Sequence, residues 1–431
     1  MEDSETVPVV TAFLRHRGEI LLLERSDAVG SYAGFWGGVS GYAEGGPDEQ
    51  VRREIREETG LEEAVSLVRA GRPVRVEDED LERTWRVHPY LFECAYRDVE
   101  LSEEHVDAEW VSPTAILAER ETVPMLWTCY ERVAPTVRSI SADGDHGAAY
   151  LSIRALEVLR DRAALLVAER EGAGEVDGAE EWDELLALAR RVREARPSMA
   201  VLRNRVTRAL GEAADRDAES ALESTVAAIE RAYAADEGAA RVASEYASGR
   251  VLTLSQSETV RAALERGGPN RVFVAESRPA GEGVETAEAL AEETAVTLLT
   301  DAAVAHVLAR GDVDCVLVGA DTLVPDGRVV NKAGTRAAAL AASNEGVPVY
   351  VASASEKVAT SAEVALESGP ATAVYDGEAR LDAINPTFDV TPADCVTGYL
   401  TEDGRRSSGD IGEVAAEASA LEKEVWGEAV E

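Results

Sequence analysis

The stretch Gly38 to Leu61 reads GVSGYAEGGPDEQVRREIREETGL, and its second half decides how the first third of the chain folds. Pro47 opens and Gly60 closes a run of good helix formers, so the pattern predicts a helix from about Pro47 to Glu58 with a glycine stop. Within it Glu54, Glu57 and Glu58 stand at i, i+3 and i+4, which stacks three carboxylates along one side. Like charges so placed repel by roughly a few tenths of a kcal/mol per helical pair. A divalent cation removes that cost. Mg²⁺ prefers hard oxygen ligands and keeps several waters, so the trio suits the positioning of a diphosphate and an attacking water. Arg53 lies on another side of the helix and is expected to orient one glutamate by a charge-assisted hydrogen bond.

Outward from this helix, Val9 to Phe13 and Ile20 to Leu23 are β-rich runs around a turn at Arg15 to Glu19, which predicts a hairpin. Trp85 to Ala95 and Trp110 to Val111 are also strand-like, and Pro113 to Arg120 is helical in pattern.

The quoted stretch resembles the Nudix box, G-x5-E-x7-R-E-U-x-E-E-x-G-U, where U is a bulky aliphatic residue. Gly38 and Glu44 keep its first spacing, and Arg53, Glu54, Ile55, Glu57, Glu58, Gly60 and Leu61 fill its second half. One extra residue separates Glu44 from Arg53, in a glycine-rich loop where added length costs little. The resemblance implies a Nudix α/β/α sandwich over residues 1–138 that hydrolyses a nucleoside diphosphate derivative. Glu54, Glu57 and Glu58 would then hold Mg²⁺, with Mn²⁺ as substitute, and Arg53 would assist. The family often draws a further carboxylate from a later loop, for which Glu104 in EEHVDAEW is the candidate and Glu103 the rival. Trp36, Tyr42 and His88 are candidates for contacts to a base or sugar, although such residues more often serve packing.

Ser139 to Gly147 is small, polar and acidic, as a linker would be. Four helical blocks follow, at about Ala148 to Glu169, Glu180 to Glu194, Met199 to Ala214 and Ala218 to Ser248, with a loop expected at Gly172 to Gly178. From Val251 onward short Val/Leu-rich runs alternate with helices: Val251 to Leu254, Val272 to Ala275, Val296 to Leu299, Val316 to Val318 and Val349 to Ala352. Such runs predict a Rossmann-like parallel sheet covered on both faces. The chain is thus expected to be of α/β and α+β class, with a helical subdomain at 146–248 and the parallel-sheet domain at 249–431. Ligands of such sheets sit at the carboxyl ends of the strands, here Ser255, Glu276 to Arg278, Thr300 to Asp301 and Gly319 to Asp321. Asp321 follows an apolar strand and suits acid/base work there. Arg278 suits bidentate phosphate binding. Ser257 suits a helix cap beside an anion-attracting helix start, and Asn331 and Lys332 suit a sugar hydroxyl and a phosphate.

Residues from about 145 to the end look similar to the family that joins regulatory subunits of translation initiation factor 2B with isomerases of ribose 1,5-bisphosphate and methylthioribose 1-phosphate. The resemblance is carried by Arg196-Pro197-Ser198, LTLSQSETV at Leu252 to Val260, ESRPAGEG at Glu276 to Gly283, GADTLVPDGRVVNKAGT at Gly319 to Thr335 and NPTFDVTPADCVTGYLTEDG at Asn385 to Gly404. It implies a nucleotide or sugar-phosphate ligand, a homo-oligomer, and an initiation factor 2 subunit as protein partner. The isomerases carry a catalytic cysteine in a THCN-like motif, and the matching residues here are Thr253, Leu254, Ser255 and Gln256. His146 likewise stands where relatives commonly have arginine before Gly-Ala. A serine without a neighbouring base is a poor substitute for a readily ionised thiol, so binding or regulation is favoured over isomerisation for this region.

At 431 residues the chain is long enough for two or three domains. Its 82 acidic against 43 basic residues give a net charge of −39, spread along the sequence, so direct nucleic-acid binding has no basic footprint. Lysine occurs only at Lys332, Lys357 and Lys423, and this acid-rich, lysine-poor balance resembles halophilic cytoplasmic proteins, whose self-repulsion salt screens. Cys94, Cys129, Cys315 and Cys395 show no CxxC spacing and read as buried thiols of a reducing compartment. No apolar run approaches the roughly 20 residues of a membrane span, and the acidic start is unlike a signal segment, so a cytoplasmic location without membrane is expected.

Overall fold

In the computed structural model, which describes residues 6–78, 81–118, 120–144, 146–173 and 178–427, the chain divides by its contacts into two compact units. One comprises Met1–Thr136, Glu157–Ala187 and Asp215–Glu223; the other comprises Val137–Leu156, Leu188–Ala214 and Ser224–Glu431. These limits differ from a first domain ending at residue 138 and one helical subdomain at 146–248. The helices at 148–173 and 218–244 each contribute to both units. A helix of that length spans roughly 39 Å, more than one core layer.

The first unit is built on β1 (Thr6–His16), β2 (Glu19–Arg25), β3 (Trp36–Gly37), β4 (Val39–Tyr42), helix α1 (Pro47–Thr59), β5 (Val65–Ala70), β6 (Val74–Asp78), β7 (Arg83–Cys94) and β8 (His105–Val111). The expected hairpin is β1–β2, with Arg15 opposite Ile20. The strand order is β3-β2-β1-β7-β5, with β4 on β1, β6 on β7 and β8 on β2; β1 and β7 run parallel. Strand alternation sends Val10, Ala12, Leu14, Leu21 and Leu23 to one face, where Val51 and Ile55 of α1 cover them. Burying each of those two α1 side chains contributes about 2 kcal/mol. Phe13, Ile20, Leu22 and Trp85 point to the other face, against Leu126, Cys129 and Tyr130. Gly60 ends α1 in the left-handed conformation, φ 69°, its N–H bonded to Arg56 O.

Pro113 to Arg120 yields only the single turn α2 (Ala115–Ala118), and α3 (Leu126–Glu131) follows. The expected linker at Ser139 to Gly147 begins inside a helix, α4 (Val137–Ala142); its residue 145 lies outside the described residues. Next come α5 (Ala148–Ala173), α6 (Gly178–Glu194), α7 (Ala200–Gly211) and α8 (Ala218–Ser244). Of the loop expected at Gly172 to Gly178, residues 174–177 lie outside the described residues.

The second unit alternates β9 (Arg250–Leu254), α9 (Glu258–Gly267), β10 (Arg271–Ala275), α10 (Glu282–Leu290), β11 (Val296–Leu299), α11 (Val304–Ala309) and β12 (Cys315–Val318). It continues with β13 (Thr322–Leu323), β14 (Val329–Lys332), α12 (Thr335–Glu345), β15 (Val349–Ala352), β16 (Phe388–Thr391), β17 (Gly398–Thr401), β18 (Gly404–Arg406) and α13 (Ser408–Trp426). The main sheet has the order β11-β10-β9-β12-β15-β17-β18, parallel except for the edge pair β17–β18. Cores lie on both its faces, as the continuous apolar strands require. The order reverses between β9 and β12, so the crevice at their carboxyl ends is the switch point where such sheets bind ligands. A small antiparallel sheet, β13-β14-β16, carries Asn331 and Lys332 on β14.

Candidate active sites

In the first unit, α1 delivers three glutamates to three different environments. Glu58 is buried at 3% exposure, Glu54 is half-buried and Glu57 is exposed. Ser40 N–H donates to Glu58 Oε2 at 3.2 Å, and Gln50 Nε2 donates to Glu54 Oε1 at 2.5 Å. Gly41 lies so close to α1 that a Cβ there would overlap the Glu54 carboxylate. His105, the first residue of β8, sets its Nε2 3.9 Å from Glu58 Oε2.

Burial pushes the Glu58 carboxyl well above the usual range, and the Glu54 and Glu104 charges push it further. Burial also raises Glu54, with Glu57 and Glu104 adding to it and Gln50 and Arg53 opposing. Glu104, exposed in the turn before β8, is near enough for its charge to raise both helix carboxyls. Both carbonyls hold the turn, Glu103 O accepting from Ser26 Oγ at 2.8 Å and Glu104 O from Ser26 N–H at 2.8 Å. Arg53 is exposed and acts on Glu54 by charge alone, without a hydrogen bond to it. Burial, with the Arg25 charge, lowers the His105 imidazole to about 4, so it is neutral near pH 7.

Among the described residues no group of three or more His, Cys, Asp or Glu side chains sits at metal-holding geometry. The donor chemistry nevertheless fits a hard cation, since these are oxygen ligands whose mutual repulsion already disfavours their charged forms. Arg25 and His105 did not stand out in the sequence. Their only signal was position, at the end of one strand and the start of another. Of the aromatic candidates, Tyr42 is exposed and tilted over buried Trp85 at 6.0 Å, while Trp36 is stacked under Arg120 at 4.2 Å. His88 is lowered by burial and by Arg86.

In the second unit Asp321 follows β12 at the switch point, and its N–H is fixed by Val330 O at 2.9 Å. Burial raises its carboxyl, while Lys357 and Lys332 pull it down and Arg196 and Glu367 also act on it. Two of the three lysines thus converge here. Lys357 Nζ donates to Ala320 O at 2.7 Å, and Lys332 Nζ pairs with Glu282 Oε1 at 2.6 Å. Arg196 pairs with Glu367 at 3.3 Å, and Ser198 donates to the same carboxylate. Glu367 carried no signal in the sequence beyond its charge, while Glu282 lay inside ESRPAGEG and Lys357 was one of three lysines without either standing out as a site residue.

The other expected residues divide. Ser257 caps α9, accepting from Val260 N–H at 3.4 Å, and its Oγ packs against Gly319. Asn331 is buried and donates to Thr335 Oγ1 at 2.9 Å. Arg278 is exposed and paired with Glu276 at 3.0 Å, while Asp301 accepts from the N–H groups of Ser277 and Arg278. Ser255, where the isomerases carry cysteine, is buried at the end of β9 with φ 59°, a conformation non-glycine residues seldom adopt. All four cysteines are buried free thiols, and Cys315 begins β12 at the end away from Asp321. Burial pushes its thiol up to about 11.

The sequence profile of the Initiation factor 2 subunit family matches residues 144–407, and that of the NUDIX domain matches residues 5–130. Methylthioribose-1-phosphate isomerase of Roseiflexus sp. (strain RS-1) is 37% identical over 161 residues, which cover 34% of this chain and 44% of the relative. The chain thus spans less than half the length of that relative. Ribose 1,5-bisphosphate isomerase of Haloferax volcanii is 33% identical over 299 residues, 64% of this chain and 90% of the relative. Among solved structures, translation initiation factor eIF-2B of Pyrococcus horikoshii OT3 matches with a TM-score of 0.53 at 26% identity, covering 62% of this chain and 94% of that one. The chain therefore belongs to the Initiation factor 2 subunit family and carries a NUDIX domain at residues 5–130.

Proposed function

We propose that the amino-terminal domain is a Mg²⁺-dependent pyrophosphohydrolase of a nucleoside diphosphate derivative, joined to a domain that binds a nucleotide or sugar phosphate beside Asp321. The supporting observation is the pair Glu54 and Glu58 on one face of α1, whose carboxyls burial and the neighbouring Glu57 and Glu104 charges hold above their ordinary values. Glu54, Glu57 and Glu58 would hold Mg²⁺ or Mn²⁺, which supplies charge neutralisation of the diphosphate and a more acidic water. Of the chain's own residues, buried Glu58 is kept in place by Ser40 N–H, and Glu104 takes the proton of the attacking water. Water adds to one phosphorus, the bridging P–O bond breaks, and two monophosphates leave. Hydrolysis of a panel of nucleoside diphosphate derivatives with Mg²⁺, by wild type and Glu57→Gln, tests this; equal rates overturn it.

A second reading, isomerisation of ribose 1,5-bisphosphate, is favoured by the raised Asp321 carboxyl between two lysines and by the Haloferax relative. It lacks the thiol, because Ser255 stands where the isomerases carry cysteine. Conversion of ribose 1,5-bisphosphate to the ribulose form, abolished in Asp321→Asn, would establish it; no conversion by wild type removes it.

A further inference from the structure

Strand β8 packs Ala108 and Trp110 on the face that α1 covers with Val51 and Ile55. Strict alternation back from Ala108 would send Val106 to that face and turn His105 away from it. The pairing with β2 breaks the alternation: Glu24 stands opposite Asp107 and Arg25 opposite His105, so Val106 is the extra residue of a bulge. Val106 is accordingly turned out, at 61% exposure, while His105 is buried and brings Nε2 to 3.9 Å from Glu58 Oε2 on α1. The turn Ser102–His105 ahead of the bulge is closed by His105 N–H on Ser102 O at 3.3 Å. Ser102 Oγ accepts from Glu104 N–H at 3.3 Å and lies 3.5 Å from His105 Nδ1. Its own proton is therefore directed at Nδ1, which assigns the ring hydrogen to Nε2. Among the described residues no hydrogen bond reaches Nε2, and the carboxylate it faces is Glu58. On Glu58 the Ser40 N–H also falls on Oε2, and no hydrogen bond of the described residues falls on Oε1.

We propose that His105 is a positioning residue of the cation site: Nε2–H and Ser40 N–H together hold Oε2 of Glu58, so that Oε1 is presented to the metal. This rests on the hydrolase reading above. The present separation exceeds hydrogen-bond length by about 1 Å, a gap that a small turn of the Glu58 carboxylate closes when the cation draws it in. A carboxylate gripped at one oxygen keeps a single orientation, which is what outer donors supply to metal ligands. The same turn then sets two groups at once, Glu104 on its exposed side and His105 on its buried side. A histidine that only filled space at this point would need neither the hydroxyl at Nδ1 nor a carboxylate before Nε2.

The full-length protein, titrated with Mn²⁺ and read by the paramagnetic resonance of the free ion, gives the direct test; the binding counted is that lost in Glu58→Gln. His105→Phe, which keeps a buried ring and removes the donor, is expected to weaken that binding by about tenfold or more. His105→Gln, whose amide N–H reaches the same oxygen, is expected to retain most of the wild-type affinity. Such a rescue separates an oriented carboxylate from a merely filled core. Wild-type affinity in His105→Phe overturns the proposal, as does an equal loss in His105→Gln. Either result leaves the hydrolase reading standing when wild type hydrolyses a diphosphate with Mg²⁺. Mn²⁺ binding that depends on His105, with no hydrolysis of any derivative, supports the positioning role and overturns the hydrolase reading. No Mn²⁺ binding by wild type overturns both. Should His105→Phe fail to fold, His105→Asn decides, because its amide is too short to reach Glu58: weakened binding supports the proposal, and wild-type affinity overturns it.

Discussion

Glu58 Oε2 lies 3.9 Å from His105 Nε2, and both side chains are buried, yet the two do not form an ion pair. Burial and the Glu54 charge favour the protonated Glu58, and burial with the Arg25 charge favours the neutral imidazole. The low dielectric around them makes every nearby charge count for more than it would in water.

Stability should therefore depend on pH in two opposed ways. The His105 proton is bound by the unfolded chain below pH 6.5 but by the folded protein only below about 4. Its contribution is intact above the upper value and is lost as pH falls through that window, by up to roughly 3 kcal/mol. Glu58, raised in the folded state, acts oppositely: its contribution is present at low pH and is lost as pH rises through its folded value. Thermal melts of wild type and His105→Gln across this range should diverge on the acid side; parallel curves would refute the assignment.

Glu58→Gln removes a buried charge that its neighbours disfavour while keeping Ser40 N–H paired to an oxygen. In EDTA near pH 7 the variant should be more stable than wild type, by roughly 1 kcal/mol. Added Mg²⁺ should raise the melting temperature of wild type and leave the variant unmoved. A similar Mg²⁺ shift in both would remove Glu58 from the metal site.

Gly41→Ala should separate folding from activity. The new methyl group overlaps only the far end of the Glu54 side chain, which can swing away. The melting temperature should stay within a few degrees of wild type while hydrolysis falls about tenfold or more, as misplacement of a reacting group does. Unchanged turnover would show that the Glu54 position does not matter.

Arg205 is buried at 1% exposure and pairs with Glu356 at 2.8 Å and Asp236 at 3.2 Å, besides donating to Ser152 Oγ. Arg205→Met leaves carboxylates without that partner and should cost about 3 kcal/mol in urea unfolding. A loss under about 1 kcal/mol would mean the network relaxes around the change.

Lys332→Ala should weaken binding of ribose 1,5-bisphosphate and raise the Asp321 carboxyl further, since Lys332 is one of two lysines holding it down. Calorimetry reads the affinity and a pH titration of binding reads Asp321. Unaltered affinity would exclude Lys332 as a phosphate contact.

Both resemblances were legible because their motifs are local. The β1–β2 hairpin, α1 with its glycine stop, and β9 to β12 follow from periodicity and punctuation over a few residues each. The short sheet β13-β14-β16 was not expected, because β14 reaches β16 across more than fifty residues and no local signal states that pairing. The linker expected at Ser139 failed in its first half because a polar composition is compatible with the helix α4.

By itself the sequence determined that Glu54, Glu57 and Glu58 share a helical face, since backbone periodicity alone sets that spacing. Only the tertiary structure decided that Glu58 is buried and Glu57 exposed, and that Arg25, Glu104 and His105 come to that helix. The reason is that position 25 comes opposite position 105 only through the register shift between Glu24 and Arg25 where β2 pairs with β8, and strand register is a property of the assembled sheet and its core.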